Sequence, residues 1–103
     1  MIEHALNDEL SDYDLDKIKQ YFKEIWHDYE DGGYDGRGNM LAIDYENRLY
    51  LFDLGHCSCD GPTNDIGLNS TSYGSLQELL SKCSEGYKKE LEPVIEAYRK
   101  RFK

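Results

Sequence analysis

The sequence predicts an α+β fold: a small antiparallel sheet packed against N-terminal and C-terminal helices and pinned by a structural metal. Three observations predict it. Apolar residues recur at helical spacing near both ends. Two short apolar runs with strand character lie between them. A compact His/Cys motif follows the second run. The chain has 103 residues and 39 % hydrophobic content, enough for a single domain spanning 1–103 with one modest core.

Residues 14–29 carry Leu15, Ile18, Phe22, Ile25, Trp26 and Tyr29, whose spacings of three and four predict one amphipathic helix. Ser11 or Asp12 would cap its start, and Gly32-Gly33 would end it. Met40, Leu41, Ala42 and Ile43, then Leu49, Tyr50, Leu51 and Phe52, predict two strands joined around Glu46-Asn47-Arg48. Residues 55–62 read as a third extended piece or structured loop, and residues 61–67 as an irregular connection. Ser75-Leu76-Gln77-Glu78 fits a capping box, so a helix starts there with Leu76, Leu79 and Leu80 inward and ends or bends at Gly86. Leu91, Val94, Ile95, Tyr98 and Phe102 predict a last helix. Pro93 either kinks it or sits in its first turn.

Charge narrows the function classes. The formal charge is −9, with 21 acidic and 12 basic residues. Direct nucleic-acid binding is disfavoured, because it rests on phosphate neutralisation by Lys and Arg. No apolar run approaches the roughly 20 residues of a membrane span, and the acidic opening Met1-Ile2-Glu3-His4 does not read as a signal peptide; a cytoplasmic protein is expected. The acidity is concentrated: residues 1–65 hold 16 acids and 5 bases, residues 66–103 hold 5 acids and 7 bases. Such a dipolar molecule steers its acidic face toward basic surfaces.

Two clusters carry candidate chemistry. Gly55-His56-Cys57-Ser58-Cys59 places two thiols on one side of an extended backbone, and Cys83 could add a third from a helix. With no secretory signal and an odd cysteine count, soft metal ligation is favoured over disulfides. The expected set is a structural zinc on His56, Cys57, Cys59 and Cys83, with His27 as a substitute fourth ligand. Four protein ligands leave no position for a reactive water, so no enzyme is expected. The competing thiol-enzyme reading would activate Cys57 or Cys59 by His27 or His4. The second cluster is the acidic, tyrosine- and glycine-rich stretch 28–38. It fails as a calcium loop, since Ala42 stands where a bidentate Glu belongs. It is expected to be a partner surface through Asp28, Glu30, Asp31 and Asp35.

The string Tyr29-Glu30-Asp31-Gly32-Gly33-Tyr34-Asp35-Gly36-Arg37-Gly38, followed by Gly55-His56-Cys57-Ser58-Cys59-Asp60-Gly61-Pro62, resembles a group of small phage and prophage proteins. These share a G-H-C-S-C-Y-G segment after a glycine-rich aromatic stretch. About a third of the chain is covered, with Asp60 in place of the usual Tyr and Arg37 in place of the usual Ser; Cys83 lies outside the shared segment. In size and style the chain also resembles type II anti-CRISPR proteins. That resemblance implies a stoichiometric inhibitor of a host defence nuclease, binding Cas9 with or without guide RNA, attracted to the nuclease's basic channels by its acidic face. A phage adaptor for another host protein is the other binding class.

Overall fold

A computed structural model describes residues 1–32, 36–55 and 71–102. Among the described residues nine elements follow in chain order: β1 (Ile2–Ala5), α1 (Asp12–Ile18), β2 (Phe22–His27), β3 (Glu30–Asp31), β4 (Gly36–Arg37), β5 (Asn39–Asp44), β6 (Leu49–Asp53), α2 (Leu76–Ser81) and α3 (Glu85–Arg101). The main sheet has the order β1-β2-β5-β6, and β3 and β4 form a separate two-stranded ribbon. The fold is α+β, as expected, but the sheet is mixed rather than antiparallel, because β1 runs parallel to β2.

The predicted hairpin is present. β5 and β6 pair antiparallel, with Leu41 opposite Leu51 and Ile43 opposite Leu49. The Asn47 amide donates to the Asp44 carbonyl at 3.1 Å, and the Asp44 amide to the Arg48 carbonyl at 3.0 Å. Asn47 takes φ of 66°, so a turn followed by a left-handed residue closes the loop. The Asp44 side chain locks it further. Its Oδ1 accepts from the amides of Glu46 at 2.8 Å and Arg48 at 3.0 Å, and its Oδ2 from the buried Tyr50 hydroxyl at 3.0 Å.

The helix expected over residues 14–29 is corrected. Ser11 caps α1, accepting from the Asp14 amide, but α1 ends at Ile18 and the chain turns into β2. The helical spacing arises from two properties of a strand. The pairing register of β2 shifts between Phe22 and Glu24, a bulge that puts Phe22 and Ile25 on one face although they are three apart. The sheet is also covered on both faces, so Trp26 can be apolar directly beside Ile25.

That double covering defines two cores. On one face, Leu10 and Ile18, with Leu15 beside them, pack on Phe22, Ile25, Tyr29, Met40, Ala42, Tyr50, Phe52 and Leu54. On the other face, Leu79 and Val94 pack on Trp26, Leu41, Ile43 and Leu49. Helices therefore lie on both sides of the sheet. Strands buried on both faces read as unbroken apolar runs, as Met40 to Ile43 do.

The C-terminal half follows the predicted stripes with shifted boundaries. Ser75 caps α2, accepting from the Glu78 amide, while Glu78 reaches back to the Gly74 amide. α2 ends at Ser81, before Gly86, and Gly86 lies in the first turn of α3, which Ser84 caps. Pro93 sits inside the continuous α3, on its exposed side, opposite buried Leu91, Val94 and Ile95.

Candidate functional site

The expected metal ligands His56, Cys57 and Cys59 lie outside the described residues, as does Asp35. Asp31 is in β3, and its side chain is likewise outside the description. Cys83 is described. It is half-buried just past α2, with its thiol donating to the Leu79 carbonyl at 3.5 Å. It borders a cavity of about 340 Å³ that is also lined by Thr71, Tyr73 and Tyr87. Among the described residues no three His, Cys, Asp or Glu side chains form a group that could hold a metal ion.

His27, the substitute ligand, is fully buried, and both of its ring nitrogens are engaged. Nε2 lies 2.7 Å from Glu3 Oε2, and Nδ1 accepts from the Tyr29 amide at 3.4 Å. Those partners assign the ring proton to Nε2, which donates to the carboxylate. Glu3 Oε2 also accepts from the Leu10 amide at 3.0 Å. On the opposite face His4 Nε2 lies 2.6 Å from Glu24 Oε2, and Arg101 Nε donates to that same oxygen at 2.9 Å. The His4 ring stacks on Trp26 with centroids 5.0 Å apart and planes within 5°. Sequence reasoning missed both His–Glu contacts, because they require β1 to be a strand parallel to β2. Their effect is to fasten β1 to the sheet, one contact on each face.

The acidic stretch does meet other elements. Asp28 and Glu30 line an open cleft of about 390 Å³ together with Asn7, Arg37, Gly38, Asn39, Asp53, Tyr87 and Glu90. Four carboxylates thus converge from the β2–β3 region, β6 and α3, against one guanidinium. The floor is built by hydrogen bonds. Asp28 Oδ1 accepts from the Asn39 amide at 2.7 Å, Asn39 Oδ1 accepts from the Tyr87 hydroxyl at 2.9 Å, and Asn7 donates to the Asp28 carbonyl at 3.2 Å. Gly38 allows the close approach. At its φ of 154° a side chain is strained, and a Cβ there would sit 2.7 Å from the Tyr29 Cα.

The electrostatics of the cleft are visible at Tyr87. Burial, then the negative charges of Asp53, Cys83, Glu90 and Asp28, push its hydroxyl up to about 12. Asp53, Glu90 and Tyr87 were not singled out from sequence. Glu90 stands in the mildly basic C-terminal part of the chain, so a partition of charge along the sequence hides it.

Comparison with protein-family models, with curated proteins and with solved structures finds no match to this chain. No described helix is long and apolar enough to cross a membrane.

Proposed function

We propose that the chain is a binding protein that offers the acidic cleft to a cationic surface of a protein partner. The observation that carries this reading is the convergence of Asp28, Glu30, Asp53 and Glu90 on one open cleft beside Tyr87, whose hydroxyl is raised first by burial and then by Asp53, Glu90 and Asp28 among its neighbours. Such a cleft takes Lys or Arg side chains by charge-assisted hydrogen bonds, with Tyr87 as an amphipathic wall. The resemblance to anti-CRISPR proteins makes a Cas9-type nuclease, with or without guide RNA, the partner to test first, and stoichiometric inhibition the mechanism. Asp31 and Asp35, neighbours of Glu30 in the sequence, are further expected contacts in this reading.

The test is association kinetics with the nuclease at two ionic strengths. Glu30→Gln, Asp53→Asn and Glu90→Gln together remove three charges and leave the Asp28–Asn39 contact in place. Association at low salt is expected to slow by about tenfold or more, with a much smaller change at high salt. Tight binding unaffected by the triple substitution at low salt removes the cleft from the interface. No binding to the nuclease by the parent chain removes that partner.

A structural zinc on His56, Cys57, Cys59 and Cys83 forms part of the proposal. It is supported by the thiol-rich donor set His56, Cys57 and Cys59 in the sequence, with Cys83 as a further thiol. Zinc there would act on folding, so chelation lowers stability. Elemental analysis of untagged protein checks it, and less than about a tenth of an equivalent of zinc rejects it.

A further inference from the structure

β1 is the outermost strand of the main sheet, and among the described residues no strand lies beyond it. The direction of its free hydrogen-bonding groups follows from the pairing. The Leu6 amide donates to the His27 carbonyl at 2.9 Å, and Ala5 is in register with His27. In a parallel ladder this alternation turns the backbone groups of Ile2, His4 and Leu6 toward β2. Those of Glu3 and Ala5 then point away from the sheet, leaving two N–H and two C=O groups on the open edge.

The edge is only four residues long and carries the inward Glu3, but it lacks the other usual protections. It carries no Pro and no Lys, and its outward apolar side chains are large. Ile2 is 50 % exposed, Leu6 37 % and Phe102 54 %; with Met1, they make up four of the six exposed large hydrophobic side chains among the described residues. Ile2 and Phe102 line one cavity of about 430 Å³ with Tyr98, Leu49 and Ile43, so the patch continues from the edge onto α3. Ile2 and His4 share the α3 face of the strand, since His4 contacts Trp26 there, and the same alternation carried one residue past β1, where the Leu6 amide still bonds His27, assigns Leu6 to that face.

We propose that β1 pairs antiparallel with β1 of a second copy of this chain, about a two-fold axis through His4, joining two four-stranded sheets into one of eight strands. The sequence around His4 is self-complementary in that arrangement. Glu3 faces Ala5 of the second copy, and the two exchange both backbone hydrogen bonds, four in all. Ile2 faces Leu6 of the second copy in a close non-hydrogen-bonded pair, so exposed apolar side chains cover each other on the α3 face. Charge selects the same direction. At the Ile2 end Lys23 and Arg101 outnumber Glu24, to which Arg101 donates, whereas Asp8 and Glu9 follow Leu6. Antiparallel pairing sets the cationic end of one copy against the acidic end of the other; parallel pairing would set like against like. An isologous contact of this kind closes on itself at two copies.

The experiment is sedimentation of the full chain over a concentration series. The expected mass is twice the 12.0 kDa of one chain. Ala5→Pro removes the outward N–H and keeps the bonds of His4 and Leu6 to β2. It deletes two hydrogen bonds per dimer and is expected to weaken association by about thirtyfold. Ile2→Lys is expected to disrupt the dimer, and adding Leu6→Glu to it is expected to restore the dimer, because the two positions meet across the axis. Trp26 fluorescence confirms that each variant is folded. A parent chain at single-copy mass overturns the proposal, whether or not the edge accepts a strand from another protein. A dimer indifferent to Ala5→Pro, or a pair of substitutions no better than Ile2→Lys alone, overturns it too.

Discussion

Replacing Asp44 by Ala probes the turn that sets the register of the hairpin. Three donors are left behind. The Glu46 and Arg48 amides belong to exposed residues, so water replaces the carboxylate there at about 0.5 kcal/mol each. The Tyr50 hydroxyl is different, because Tyr50 is only 5 % exposed and loses a charged acceptor at 3.0 Å, which costs about 2 kcal/mol. The expected loss is about 3 kcal/mol, or roughly 15 °C in the midpoint of thermal unfolding for a domain of this size. The loss depends on pH with a defined sign. Burial acts to raise the Asp44 carboxyl, but the amides of Arg48 and Glu46, the Tyr50 hydroxyl and the Arg48 charge outweigh it and hold the carboxyl below its ordinary value. Its contribution is therefore complete above the unfolded value of about 4 and is lost as pH falls through the folded one. Urea unfolding followed by Trp26, the single tryptophan, at pH 7 and at stepwise lower pH measures the gap between parent and variant. The gap should narrow below about pH 4. A gap under about 1 kcal/mol at pH 7, or one that stays constant into strong acid, refutes the reasoning.

Three other outcomes follow from the same contacts. Tyr87 should ionise about two pH units after an ordinary tyrosine, seen as a late phase in an ultraviolet titration, and Asp53→Asn with Glu90→Gln should move that phase earlier. Because its folded value is raised, the stability it contributes is present below pH 10 and falls away as pH rises toward 12. Gly38→Ala should cost about 3 kcal/mol in urea unfolding, since its methyl group meets the Tyr29 backbone; a cost within error of zero contradicts the close approach. Trp26→Ala should cost about 4 kcal/mol by calorimetry, because the indole is fully buried against Tyr98 and Phe102, with centroids 5.1 and 5.9 Å away.

Local signals in the sequence are legible where the chain's own neighbours decide the structure. Ser11 and Ser75 cap helices because their side chains reach amides three residues on. The Glu46-Asn47-Arg48 turn forms between two apolar runs because Asn47 tolerates a left-handed backbone. The stripe through Leu91, Val94 and Ile95 is buried as its spacing demands. Non-local signals were not legible. A bulge in β2 and burial on both faces gave residues 22–29 a helical period. β1 gave no apolar alternation at all, since its inward anchors are Glu3 and His4, acceptable only because His27 and Glu24 wait on β2. The acidic cleft was half legible: Asp28 and Glu30 stand in one conspicuous stretch, whereas Asp53, Tyr87 and Glu90 reach it only through the packing of β6 and α3.

One oxygen of Glu24 receives both His4 and Arg101, partners 20 and 77 residues away in sequence. A chain made from its N-terminus therefore produces His4 and Glu24 well before Arg101, the partner that completes this junction. Closing a loop of that size costs entropy that only the assembled sheet and helix can offset. Until the final turn of α3 is in place, the Glu24 carboxylate has His4 alone for company, and β1, made before the other described strands, is the last of them to be secured.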